Sequence, residues 1–134
     1  MNPITEIKTK LLKYPELEVK EEENSISIKP SNQTGFEVWF SEDETEFTVG
    51  FEGWHQHFDK SDVEEALNCF AFGLSNSCRL KVFSRGGSNY KWVTQSLENG
   101  KWVNFSTTAL FNFAFWRKSE VKYYSNNVLQ DKNA

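Results

Sequence analysis

The apolar residues of this chain keep two different rhythms, and the points where one gives way to the other limit what the chain can fold into. Over most of its length the spacing is two, as in Phe36, Val38 and Phe40, which Phe47, Val49 and Phe51 answer further on. Alternation of that kind turns one row of side chains to a core and the next to water, as a half-buried β-strand requires. Twice the rhythm changes to the three- and four-residue steps of a helix. Ile4, Ile7, Leu11 and Tyr14 form the first set, with Asn2 poised as a cap, Pro3 at the first helical position and Pro15 forbidding continuation, so a short helix is predicted over residues 3–13. Val63, Ala66, Leu67, Phe70, Ala71 and Leu74 form the second, one apolar stripe over residues 63–74. Ser61 and Glu64 have the spacing of a capping box at its start, and Gly73, Ser75 and Asn76 mark its end.

Between and beyond these helices the strands are short and the turns tight. Leu17 with Val19, and Ile26 with Ile28, predict a hairpin turning at residues 22–24, and a second hairpin turns through the acidic residues 42–46. Further strands are expected over residues 79–83, 90–97, 101–107, 110–116 and 121–124. Gly86-Gly87 and Asn99-Gly100 separate three of them and supply the positive backbone angles that tight hairpins need. Connections this short cannot carry a parallel crossover, so the pairing is antiparallel. The fold class that follows is α+β: a curved antiparallel sheet of about eight or nine strands, in the order α-β4-α-β4/5, packed on one main helix with a short N-terminal helix. The two α-β4 halves share no residue pattern that would mark a repeat. No linker divides the chain, and 134 residues suffice to bury a core without metal or disulfide, so residues 1–134 are expected to form a single domain.

Two compositional features bear on function. Twelve Phe, five Trp and four Tyr are too many rings for a core of this size to hide, so some are expected near the surface. The net charge of −4 is unevenly spread: residues 1–60 hold six Lys or Arg against thirteen Asp or Glu, whereas residues 61–134 hold nine against six. The domain is electrically polarised, which bears on association rather than on fold. No run of 18 apolar residues and no basic-then-apolar leader occurs, so no membrane segment and a cytoplasmic location are expected. Cys69 and Cys78 then read as two free thiols, Cys69 lying off the apolar stripe and towards solvent.

One cluster carries candidate chemistry. In Trp54-His55-Gln56-His57-Phe58-Asp59, an extended backbone turns His55 and His57 to the same side, as two imidazoles sharing a metal must be. A third ligand would come from Asp59, Glu52 or a distant strand. The plainer alternative has Trp54 and Phe58 anchoring a strand-to-helix corner in the core, with the imidazoles hydrogen-bonded to backbone near the turn. Arg85-Gly86-Gly87-Ser88 lacks the helix, Lys and hydroxyl of a phosphate loop and reads as a hairpin turn. No nucleophile elbow accompanies the histidines, so a Ser84 or Ser61 triad finds no support, and no cofactor is expected. Tyr90-Lys91-Trp92 and Lys101-Trp102 mix base with rings, but strict alternation separates them onto opposite faces, and nucleic acid is disfavoured as a partner. In residues 110–116, Phe111, Phe113 and Phe115 are assigned to the core, and Asn112, Ala114 and Trp116 to the opposite face, Trp116 as an exposed anchor.

The expectation is a small intracellular macromolecule-binding protein rather than an enzyme. In its concrete form it is an immunity- or inhibitor-type protein for a basic protein, steered by Glu42, Asp43, Glu44 and Glu46 and anchored by Trp116. The alternatives are a small-molecule- or metal-binding enzyme with its site at His55 and His57, and a structural or self-associating subunit, monomer or homodimer, pairing through edge strands.

Overall fold

The computed structural model describes residues 2–111 and 116–130. Asn2 opens helix α1 (Pro3–Leu11): the Ile4 and Thr5 amides donate to its side-chain oxygen at 3.0 and 3.2 Å. Ile4 and Ile7 are buried, and the helix stops two residues earlier than the sequence predicts. Nine strands follow, all antiparallel to their neighbours, in two sheets. The first is a five-stranded meander of β1 (Val19–Glu22), β2 (Ser25–Ile28), β3 (Val38–Glu42), β4 (Glu46–Phe51) and β5 (Trp54–Asp59). The second contains β6 (Cys78–Arg85), β7 (Ser88–Glu98), β8 (Lys101–Ala109) and β9 (Ser119–Tyr124) in the order β8-β7-β6-β9. The chain is thus α+β with one main helix, α2 (Val63–Leu74), as the alternating rhythm implies, and the strands divide five before that helix and four after it.

Helix α2 packs on β3, β4 and β5 of the first sheet and on β6 of the second. Ala66, Phe70 and Leu74 of its stripe join Ile26, Val38, Phe40, Val49 and Phe51 from one sheet and Leu80, Val82 and Trp92 from the other in a single buried cluster. At Gly73 a Cβ would lie 2.3 Å from the Phe51 ring, so the last turn of the helix can approach the sheet only as glycine. Trp92, on β7, sits over Gly53 in the β4–β5 turn and ties the two sheets together; a Cβ at Gly53 would meet that ring at 2.3 Å. At the edges, the His55 amide on β5 donates to Thr108 Oγ1 on β8 at 3.3 Å. The chain after β9 adds a third tie. Asn126 accepts from the Phe36 amide and donates to the Gly73 carbonyl, both at 2.9 Å, and the Val128 and Leu129 amides close on the Leu74 carbonyl.

Three expectations are corrected. The Ser61–Glu64 capping box does not form: residues Lys60–Asp62 make a 3-10 turn, and Asp59 caps it by accepting from the Ser61 amide and hydroxyl, both at 2.9 Å. Cys69 is buried rather than facing solvent, because α2 is covered by both sheets, and burial pushes its thiol up to about 12. Cys78 is buried as well, its thiol raised by burial and by the neighbouring Cys69. Phe111 is 78% exposed, not in the core, since β8 ends at Ala109 and the Leu110 amide donates to the Tyr90 carbonyl as the chain leaves the sheet. Phe113 and Phe115, with Asn112 and Ala114, lie outside the described residues. No helix among the described residues is long and apolar enough to cross a membrane.

Candidate functional site

The histidine cluster forms strand β5, and strict alternation divides it. Trp54 is fully buried and stacks on Phe51 with ring centroids 4.6 Å apart, and Phe58 packs against the core. His55 and His57 are exposed on the outer face of the first sheet, their ring centroids 5.2 Å apart and nearly perpendicular. His57 Nδ1 lies 2.8 Å from Glu46 Oε2 and 3.0 Å from Thr48 Oγ1, both on the facing strand, so the imidazole bonds to side chains of β4 rather than to turn backbone. The carboxylate of Asp59 is engaged by Ser61, which holds it below the usual carboxylate range chiefly through the Ser61 amide. Among the described residues no three His, Cys, Asp or Glu side chains are grouped to hold a metal. A cleft of about 460 Å³ does open beside β5, but on the opposite side of the strand from the imidazoles. Gln56, Phe58, Cys69, Phe72 and Phe105 line it, with Glu65 and Glu98 also in its wall, and no imidazole reaches it.

The acidic turn is largely engaged within the fold. Glu42 Oε2 pairs with Lys60 Nζ at 2.6 Å. Asp43 accepts from the Thr45 amide, the Glu46 amide and the Thr45 hydroxyl at 2.8–3.0 Å, bonds that lower its pKa, the first of them most. Glu46 meets His57, which leaves Glu44, exposed at the tip, as the one member of the four with neither a hydrogen bond nor an ion pair among the described residues. Trp116 is 72% exposed.

The densest arrangement of chemically distinctive side chains lies elsewhere, on the outer face of the second sheet. Cys78, Leu80 and Val82 of β6 point into the core, so Arg79, Lys81, Phe83 and Arg85 between them point out. The cross-strand register brings Gln95, Val93 and Lys91 of β7 beside them, then Asn104 and Thr107 of β8, and on the other side Tyr123 and Val121 of β9. The Arg79 guanidinium is sandwiched, its Cζ 4.4 Å from the Trp102 ring centroid and 4.2 Å from that of Tyr123, where the electron-rich ring faces attract a cation. It also donates through Nε and a terminal nitrogen to Gln95 Oε1 at 2.9 and 2.7 Å, and Gln95 in turn donates to Asn104 Oδ1 at 2.9 Å. Lys81 and Lys91 lie over Phe83 at 5.1 and 4.9 Å, and Arg85 over Tyr90 at 4.7 Å.

Tyr90 reaches this face through a β-bulge. The register slips between Phe83 and Ser84, which face Lys91 and Asn89, so Tyr90 is the extra residue and turns out beside Lys91 while Trp92 turns in. Strict alternation pairs Tyr90 with Trp92 and excludes Lys91, and the bulge reverses that sorting. The carboxylates of these strands, Glu98 and Glu120, alternate to the other face, so no acid lies on the outer one among the described residues. Every described ion pair falls within residues 6–60, and no cation of the second sheet takes part in one. No protein-family model matches the chain, and no curated protein and no solved structure matches it either.

Proposed function

We propose that this chain is a small macromolecule-binding protein and that the outer face of its second sheet takes an anionic partner. The observation that carries the reading is charge segregation at close range: Arg79, Lys81, Arg85 and Lys91 share a face with four aromatic rings and, among the described residues, no carboxylate. A cation laid over a ring stays charged and keeps most of its capacity for an anion, whereas one already paired with a carboxylate does not. The rings also hold the long side chains in position, which lowers the entropy lost on binding. His55 and His57, directed away from the cleft, lend the enzyme alternative little support.

The inhibitor-type reading, with a basic partner at the acidic turn, keeps one favourable observation, the exposed Glu44. Against it stand the internal bonds of Glu42, Asp43 and Glu46, each of which a partner would have to replace. One experiment separates the two. The protein and a Lys81→Glu/Lys91→Glu variant are passed over immobilised heparin and immobilised polylysine. Despite its net charge of −4, the wild type is expected to bind heparin and elute with salt, and the variant to flow through. Wild type flowing through heparin would end the anionic reading, and retention on polylysine that Glu44→Lys abolishes would put the acidic turn in its place.

A further inference from the structure

Resting on the anionic-partner reading above, we infer that the partner of the second sheet is a single-stranded nucleic acid. Three features fit this ligand. The first is spacing. Arg79, Lys81, Phe83 and Arg85 alternate along one strand, and side chains two residues apart on a strand are about 6.6 Å apart, close to the separation of successive phosphates in an extended single strand. The second is the interleaving of planes with charges: Trp102, Tyr123, Phe83 and Tyr90 lie in the rows between or beside the cations. An acidic polypeptide needs the charges alone, whereas a nucleic acid uses both, phosphates on the cations and bases on the rings. The third is the amide chain from Arg79 through Gln95 to Asn104, which ends on an exposed residue whose NH₂ group remains available to a base edge.

A duplex suits this face less well, because its bases are already stacked on each other and would leave the rings of the sheet unused. In a single strand the phosphates draw the Lys81 and Lys91 ammonium groups off Phe83, and the uncovered ring face receives a base. The whole-protein charge of −4 slows long-range encounter but leaves the contact intact, because screening confines both effects to about 10 Å at 0.1 M salt. This combination predicts modest, salt-sensitive binding with little preference for sequence.

The test uses the full chain and four labelled probes of equal length followed by fluorescence anisotropy: oligo(U), oligo(dT), an abasic sugar-phosphate strand, and polyglutamate. Oligo(U) and oligo(dT) are expected to bind with a log–log salt slope of about −3, as four phosphate contacts at about −0.7 each require. The abasic strand is expected to bind at least about fivefold more weakly, and Trp102→Ala and Tyr123→Ala each to weaken the base-bearing strands by about 5- to 150-fold and the abasic strand by distinctly less. Equal affinity for abasic and base-bearing strands would overturn the nucleic-acid inference and leave the anionic reading standing. Tighter binding of polyglutamate would assign the face to an acidic protein. If none of the four binds, both readings fall. The comparison among probes is made on unaltered protein, so it stands even if a ring variant unfolds.

Discussion

The two sheets are built by the same antiparallel rules and treat charge in opposite ways. On and around the first, lysines meet carboxylates: Lys8 with Glu21, Lys20 with Glu22, Lys29 with Glu18 and Lys60 with Glu42. These pairs are mostly exposed, and such pairs add little stability, but they leave the acidic half with few uncommitted charges. On the second sheet the cations meet rings and an amide and, among the described residues, no carboxylate. The lesson is that net charge misdirects attention. The half with the larger excess has its charge mostly engaged within the fold, and the half with the smaller excess keeps its cations clear of carboxylates among the described residues.

The comparison presupposes one body with two dissimilar faces, and the largest expected effect comes from cutting the joint. Trp92 belongs to the second sheet but fills the space over Gly53 of the first, so Trp92→Ala removes a buried ring that serves both. A loss of about 3–5 kcal/mol in urea unfolding is expected, since the truncation costs both transfer energy and a cavity. A loss below about 1 kcal/mol would mean that the sheets hold together without this ring. Next in size is Asn126→Ala. Its side chain joins the Phe36 amide just before β3 to the Gly73 carbonyl at the end of α2, and alanine leaves both unpartnered. The expected cost is about 1–3 kcal/mol, read as a lowered unfolding midpoint with unchanged denaturant slope.

What the sequence reveals of this molecule is what repeats locally. The stripe from Val63 to Leu74 marks α2, Asn2 marks the first cap, and Asn99-Gly100 marks a hairpin whose two turn residues adopt φ of 52° and 78°. The turn before β5 carries no such mark, because Glu52 takes a φ of 52° that a non-glycine residue seldom adopts. Asp59 and Ser61 both suit a cap, and only the 3-10 turn between β5 and α2 decides between them. The candidate site on the second sheet is legible in the sequence only as ingredients. Alternation tells which residues of one strand share a face, but not which residue of the next strand lies beside them, and the Arg79 sandwich draws on three strands. A single bulged residue, Tyr90, then reverses the sorting locally, and nothing in the sequence beyond a glycine-rich turn nearby announces it.

The smallest expected effect sharpens the contrast through pH. Asp43 sits in the acidic turn with its pKa lowered by the Thr45 amide first, then by the Glu46 amide and the Thr45 hydroxyl, so the folded state favours the ionised form. A group of this kind contributes stability that is fully present above its unfolded pKa of about 4 and disappears as pH falls through the lower folded value. Asp43→Asn keeps a carbonyl to accept a bond but loses the charge. The wild type is therefore expected to melt slightly above the variant between about pH 5 and 8, and the two melting curves to converge as the pH drops below about 4. A gap that persists unchanged at pH 3 would show that the turn draws on the geometry of Asp43 and not on its ionisation. The second sheet supplies the control. Variants at Arg79, Lys81, Arg85 and Lys91 lie on the other sheet from Asp43 and should shift affinity for an anion without moving the acid limb of stability.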